Sequence, residues 1–423
     1  MKKQVHFSAI KKLWKTNKNP VQIYIHSAFC KSICKYCCYR GTELSDQNES
    51  LYHKYFYKYL PKQIDKYKKI IDNQYINSIY FGGGTPNIEK DLANLMPAFE
   101  KIRDVKCNEK IIELHMGLPI TDKAIDILKK EHFTTVILCQ QTFDKKKLEQ
   151  ENRVNIANND LNTIIKKFHD AGINVGMDFI AFADDPNRIT NDINSLLSIE
   201  NKPDEITVAL SFKDELNYFF IKNTAQNLLS AHYALPDYNG SVEDFLNRKV
   251  IRFVQEDKLD ILYDKLYSFI SYLSEINSRE AYNTSILGIG SLPDMIKQTF
   301  SKVLNTTYCE TWDGRKTKYT LYQPPSYKEQ IKKFLDCLPS YLPKGATILI
   351  KQYGVTYEKE HLTIDDNSIG ATIVFPSELS SNLLKNHQCN MLKEVRQKLD
   401  SQGLTNVILK QELEDKIDIS CLQ

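Results

Sequence analysis

The sequence predicts an α/β fold: a partial (β/α)6 barrel followed by a C-terminal α+β region. Three observations predict it. Six short β-prone runs, at 21–26, 76–81, 111–115, 134–139, 174–182 and 205–210, alternate with stretches of helical pattern, as expected of parallel βαβ units. The residues with the most chemistry fall at or just after the C-terminal ends of these runs, where barrels of this kind carry their sites. The chain has 423 residues, enough for a barrel and an accessory unit. The expected divisions are a lead-in over 1–20, a core barrel over 21–230 and an accessory, substrate-facing region over 231–423.

In chain order, residues 1–20 are basic and irregular, with room for one short helix, and end at Asn19-Pro20, a boundary because proline continues neither a helix nor a strand ladder. The first strand runs into a cysteine-rich loop. Residues 47–72 read as helix with a break at Pro61. Lys62, Lys66, Lys68 and Lys69 lie between apolar residues there, the pattern of a solvated helix face. The second strand ends in Gly82-Gly83-Gly84-Thr85-Pro86. Consecutive glycines let backbone approach a ligand closely, and their amides suit carboxylate or ribose oxygens; alone, such a run is equally a tight turn. Thr121 is the expected N-cap of a helix over 121–130. Gly172 is the expected stop of a helix over 160–171. A further helix covers 187–199. Residues 346–351 and 369–375 are strands of the C-terminal region.

The cysteine-rich loop reads Tyr-Ile-His-Ser-Ala-Phe-Cys-Lys-Ser-Ile-Cys-Lys-Tyr-Cys-Cys-Tyr-Arg over 24–40, with Cys30, Cys34 and Cys37 in C-x3-C-x2-C spacing. Thiolates this close are ligands of iron–sulfur clusters, and three ligands to a four-iron cluster leave one iron open to a small molecule. Structural zinc with Cys38 as fourth ligand is the alternative, disfavoured because Cys37 and Cys38 are adjacent. Unrelated buried thiols are a second alternative. Cys38 is expected near the cluster or buried. Cys309, Cys337, Cys389 and Cys421 are scattered and read as buried thiols.

This stretch resembles the cluster loop of radical S-adenosylmethionine (SAM) enzymes, and more narrowly the oxygen-independent coproporphyrinogen III oxidase family, which reads Tyr-x-His-x-Pro-Phe-Cys-x3-Cys-x-(Phe/Tyr)-Cys. Tyr24, His26, Phe29 and Tyr36 fall in place, whereas Ser27 and Ala28 depart from it. Gly-Gly-Gly-Thr-Pro matches completely. Gln141-Thr142-Phe143, Arg153 and Met177-Asp178-Phe179-Ile180 match further motifs in order. The resemblance is firm over about 21–210; beyond it, Leu287-Gly288-Ile289-Gly290 is similar to a glycine-rich turn of the family's accessory region. It implies a [4Fe–4S] cluster on Cys30, Cys34 and Cys37 and two SAM molecules. Tyr24, Gly83 and Glu113 would hold the one on the cluster. Tyr36, Gly84, Thr85, Gln141, Arg153 and Asp178 would hold the second. These residue types suit a sulfonium with an amino-acid tail: arginine pairs carboxylates, carboxylates take amino and hydroxyl groups, and tyrosine offers a ring face. Taken singly, Glu113, Gln141, Arg153 and Asp178 each have an ordinary structural reading.

Two departures bear on substrate. His115-Met116-Gly117 stands where the family has Asn-Pro, and Ala181-Phe182-Ala183-Asp184 where it has Tyr-Gly-Leu-Pro. Tyr39 stands in place of a further cysteine of the bacterial oxidases, and residues 1–20 lack their N-terminal signature. Reductive cleavage of SAM to a 5′-deoxyadenosyl radical is therefore expected, with methyl or methylene transfer from the second SAM to a substrate carbon. The competing outcomes are oxidative decarboxylation of the coproporphyrinogen type and a haem chaperone, with His26 and His115 as candidate haem ligands. The expected partners are a small-molecule substrate and a reductant such as flavodoxin or ferredoxin. A net charge of +3 gives no case for nucleic acid or membrane. Ten cysteines in so long a chain suit a reducing, cytoplasmic setting. No signal peptide is expected, and no run approaches the ~20 apolar residues of a membrane helix.

Overall fold

The computed structural model describes residues 2–235 except 19, 38, 40, 158, 186 and 211–214; beyond these it describes 250–258, 285–292, 307–322, 347–352, 355–356, 369–375, 397, 407–413 and 418–419. In order these form β1 (Lys2–Val5), α1 (Phe7–Thr16), β2 (Val21–Ser27), α2 (Glu49–Lys54), α3 (Leu60–Lys68), β3 (Ile76–Gly83), α4 (Met96–Ile102), β4 (Glu109–His115), α5 (Asp122–Lys130), β5 (Thr135–Gln141), α6 (Lys145–Gln150), α7 (Leu161–Asp170), β6 (Asn174–Ala181), α8 (Asn187–Ser198), β7 (Glu205–Leu210), α9 (Glu215–Ser230), β8 (Val250–Gln255), β9 (Ser285–Ile289), β10 (Thr307–Trp312) and β11 (Thr317–Tyr322).

Strands β2 to β7 are parallel and adjacent in chain order, the partial (β/α)6 barrel expected from the sequence. The sheet does not stop at the expected divisions. β8 adds antiparallel to β7, and β9 adds parallel to β2, so that β2 is flanked on both sides. β10, β11 and the N-terminal β1 then continue the sheet outward. A separate five-stranded sheet contains Thr347–Gln352, Ile369–Phe375 and Val407–Leu413.

Two-residue alternation sorts the barrel strands. One parity carries Ile25, Phe81, Ile112, Leu114, Val136, Leu138, Val175, Met177, Ile206 and Val208, all buried in the main core. Helix residues complete that core: Phe81 and Phe133 pack on Phe99 of α4 with ring centroids 5.2 and 5.0 Å apart. In-register partners share a face, so the opposite parity places Tyr24, Tyr80, Glu113, Cys139 and Asp178 together toward the lumen.

Between α2 and α3 the helix widens to a π turn at Tyr55–Tyr59. Pro61 explains it. Without an N–H it cannot bond the carbonyl four residues back, and the Leu60 N–H instead reaches Tyr55 O, five residues back. The expected break at Pro61 is thus a widened turn. Lys66 is only partly exposed: its Nζ lies 3.4 Å from the Phe7 ring centroid and bonds Tyr319 Oη, holding α1 and β11 against α3. The lead-in is a built element as well, with Ile10 and Trp14 fully buried. Thr121 caps α5 by accepting from Ala124 N at 3.1 Å. Gly172, at φ +76, ends α7.

Cys38, Cys337, Cys389 and Cys421 lie outside the described residues, and of Cys309 only its place in β10 is described. Among the described residues no helix is long and apolar enough to cross a membrane.

Candidate functional site

The cysteine loop leaves the C-terminal end of β2 and is closed at its root. Thr42 N donates to Ala28 O at 2.8 Å and Leu44 N to Cys30 O at 2.9 Å. Gly41 passes so near that a Cβ there would lie 2.2 Å from Ala28 O. Cys30 and Cys34 are buried and Cys37 is half-buried. Gly41 N–H donates to Cys30 Sγ at 3.2 Å, and an Arg153 N–H points at Cys34 Sγ from 3.8 Å. Donors of this kind stabilise thiolate ligands and tune a cluster bound to them, so the residues fit a thiolate-held iron–sulfur cluster in chemistry. Among the described residues no three His, Cys, Asp or Glu side chains are already gathered as a metal site.

The glycine loop meets the cysteine loop directly. Gly84 N donates to Ser27 O at 2.7 Å and Thr85 N to Phe29 O at 2.8 Å. A Cβ on Gly84 would fall 2.3 Å from Phe29 O, and one on Gly83, at φ +104, only 2.1 Å from His26 Nδ1. These glycines are therefore required first by the approach of the chain to itself. Gly83 N–H goes to Glu113 Oε2 at 3.3 Å. Thr85 is buried beneath the cysteine loop, its Oγ1 accepting from Lys31 N at 3.4 Å.

Two groups of the expected site residues come together in the lumen. In the first, Tyr24 stacks on Tyr80 at 5.9 Å, its Oη lies 3.2 Å from His26 Nδ1, and Tyr80 Oη donates to Glu113 Oε1 at 2.6 Å. Burial pushes Glu113 up to about 7, against the pull of Tyr80, Gly83 and Arg153. Burial also lowers His26 to about 3, so it is neutral, and its Nε2 meets no hydrogen-bond partner among the described residues. In the second group, Arg153 donates to Tyr36 Oη at 3.0 Å and to Cys139 O at 2.5 Å. Cys139 Sγ lies 3.8 Å from Asp178 Oδ2. Burial, with Asp178 and Glu113 nearby, holds that thiol well above its ordinary range and so protonated. Gln141 follows a bulge in β5 and sits at φ +70, a strained value for a residue with a side chain.

Sequence reasoning missed several residues that shape this mouth. Tyr80 and Cys139 are found by lumen parity once the register is known. Asn87 binds the end of β4 through both halves of its amide, to His115 N at 2.8 Å and His115 O at 3.2 Å. The two divergent loops have structural uses. A Cβ on Gly117 would lie 1.9 Å from Val154 O, so glycine there admits the chain leading from Arg153. Phe182 packs edge-on against Tyr36 at 5.7 Å and lies under Lys147 at 4.5 Å.

Residues 24–188 match the family described as the Radical SAM superfamily. Among curated proteins, the chain is similar to the heme chaperone HemW of Buchnera aphidicola: 27% identical over 176 residues, 38% of this chain and 42% of that protein. It is also similar to the heme chaperone HemW of Haemophilus influenzae, at 30% over 95 residues, 22% and 25% of the two chains. The matches thus span less than half the length of these relatives. Among solved structures, the coproporphyrinogen III oxidase HemN of Escherichia coli, described as a radical SAM enzyme, shares the fold at TM-score 0.50 and 16% identity, over 68% of each chain.

Proposed function

On the premise that residues 24–188 carry a radical SAM domain, we propose that this protein is a radical SAM enzyme which moves a methyl or methylene group from one SAM molecule to a carbon of a small-molecule substrate. The observation that carries the reading is the second lumen group. Arg153 meets Cys34 and Tyr36 of the cysteine loop and the Cys139 carbonyl, Asp178 lies beside Cys139, and Glu113 meets the glycine loop; this supply of polar side chains beyond Glu113 is what supports a second SAM.

A [4Fe–4S] cluster on Cys30, Cys34 and Cys37 would supply the electron that cleaves SAM reductively to a 5′-deoxyadenosyl radical. The chain's own residues bind and orient. Glu113, with Tyr24 and Gly83, would take the amino group and ribose of the SAM at the cluster. Its raised proton affinity falls when a cation binds beside it. Arg153 would pair the carboxylate of the second SAM, with Asp178 and Gln141 on its hydroxyls and Tyr36, backed by Phe182, against its sulfonium or adenine. Gly84 and Thr85 would act through the root of the cysteine loop. An external one-electron donor such as flavodoxin or ferredoxin would serve as reductant.

A second reading, haem binding and delivery, is favoured by the relatives named as heme chaperones. His26 suits it poorly as a ligand, because its ring is fully enclosed against Gly83 and half committed to Tyr24.

The test is anaerobic reconstitution, then dithionite and SAM, with 5′-deoxyadenosine and S-adenosylhomocysteine quantified by mass spectrometry and Cys30→Ala as control. Both products in wild type alone are expected. Deoxyadenosine alone would replace group transfer by single-radical chemistry such as decarboxylation. Neither product, together with tight haem binding, would install the chaperone reading.

A further inference from the structure

Helix α6 ends in a left-handed turn in which Asn152 N donates to Glu149 O at 3.0 Å and Arg153 N to Leu148 O at 2.9 Å. Asn152 occupies the position, at φ +56, that glycine fills by default. α7 ends in the same way at Gly172, where a Cβ would meet nothing within 4 Å. A side chain at 152 therefore costs conformational energy, and what it returns is visible. The Asn152 amide donates to Ile33 O at 3.0 Å, inside the cysteine loop. The backbone follows suit: Ser32 Oγ donates to Asn152 O at 2.9 Å and accepts from Val154 N at 3.3 Å, and Lys35 N donates to Glu151 O at 3.0 Å. Four hydrogen bonds thus strap residues 32–35, which bracket Cys34, to residues 151–154. From that same turn Arg153 reaches inward to Cys34 Sγ and Tyr36 Oη.

We propose that the turn at 151–154 is a clasp that presets the cysteine loop for its cluster, with Asn152 and Ser32 as positioning residues. The inference rests on the radical SAM reading of that loop and adds to it. The clasp fixes the part of the loop that carries Cys34. It also ties the outer rim of the loop to the residue that would bind the second SAM, so both sites are set by one turn.

The experiment compares the full chain with Asn152→Gly, Ser32→Ala and the double variant. Asn152→Gly is the discriminating change, because it keeps the backbone conformation and removes only the amide. In the metal-free protein under anaerobic conditions, N-ethylmaleimide labelling is followed by peptide mass spectrometry, with Cys107 as internal reference. Asn152→Gly is expected to raise labelling of Cys34 two- to tenfold without lowering the melting temperature, and the double variant to add little to it. After reconstitution the variant is expected to lose iron faster to a chelator and to show shifted g-values in the EPR spectrum of the reduced cluster. Unchanged labelling, iron retention and spectrum in a folded variant would overturn the clasp. A wild type that takes up no cluster would sink the radical SAM reading instead, and the labelling comparison would still decide the clasp.

Discussion

Glu113 gives the site its pH signature. Its folded-state proton affinity lies above the ordinary carboxylate value, at about 7 against 4.5, so the folded chain binds that proton more tightly than the unfolded one. The resulting stabilisation is complete below about pH 4.5 and is lost as pH rises through 7. Glu113→Gln is fixed in the neutral form. Its stability relative to wild type should therefore climb between pH 4.5 and 7 and level above, by about 1–3 kcal/mol, since a tenfold change in proton affinity is worth about 1.4 kcal/mol. Urea unfolding of the metal-free protein at pH 5 and pH 8 checks it, and a pH-independent difference would refute it. The glycines offer a graded test at the same scale. Gly172→Ala meets open space and should cost about 1 kcal/mol, for the left-handed backbone alone. Gly83→Ala must displace the His26 ring, and Gly84→Ala two carbonyls. Each should cost about 2–4 kcal/mol or more, so the order of unfolding midpoints is the readout.

Among elements, the helix ends show how local chemistry was partly hidden. Three non-glycine residues, His132, Asn152 and His232, take left-handed conformations just past α5, α6 and α9, as Gly172 does past α7. Only the glycine was legible, because glycine is the residue that marks a left-handed helix end from sequence alone. The π turn is a similar case. Pro61 announced a disturbance, but only the fold shows that the widened turn delivers Tyr55 Oη to the His26 carbonyl at 2.5 Å, while Ser291 N donates to the Tyr55 hydroxyl oxygen at 3.3 Å. That hydroxyl joins the ends of β2 and β9 beneath Gly290, where a Cβ would meet it at 2.4 Å. Tyr55→Phe leaves a buried carbonyl without its donor and should cost about 1–3 kcal/mol in chemical denaturation. A loss under about 0.5 kcal/mol would mean that water or a neighbour replaces it.

At the scale of the molecule, the chain closes on its own beginning. β1 pairs with β11, and Asn17 joins Gln74 and Ser285, residues from three distant parts of the sequence. Trp14→Ala, at a fully buried position, should therefore cost about 3–5 kcal/mol, measured as a fall in the unfolding midpoint. A near-neutral result would return residues 1–20 to the status of a lead-in. The sequence by itself determined the six barrel strands, their order, and the loops that carry cysteines and glycines, because strand and helix periodicity and close cysteine spacing are local properties. It also placed Glu113, Gln141 and Asp178 at or near strand ends by pattern alone. Only the tertiary structure decided that the glycines serve the chain's contact with itself, that Cys139 lies beside Asp178, and that a helix end holds the cysteine loop. Those facts depend on register and on approaches between residues up to about 120 positions apart, and no local pattern encodes which distant backbone a side chain will meet.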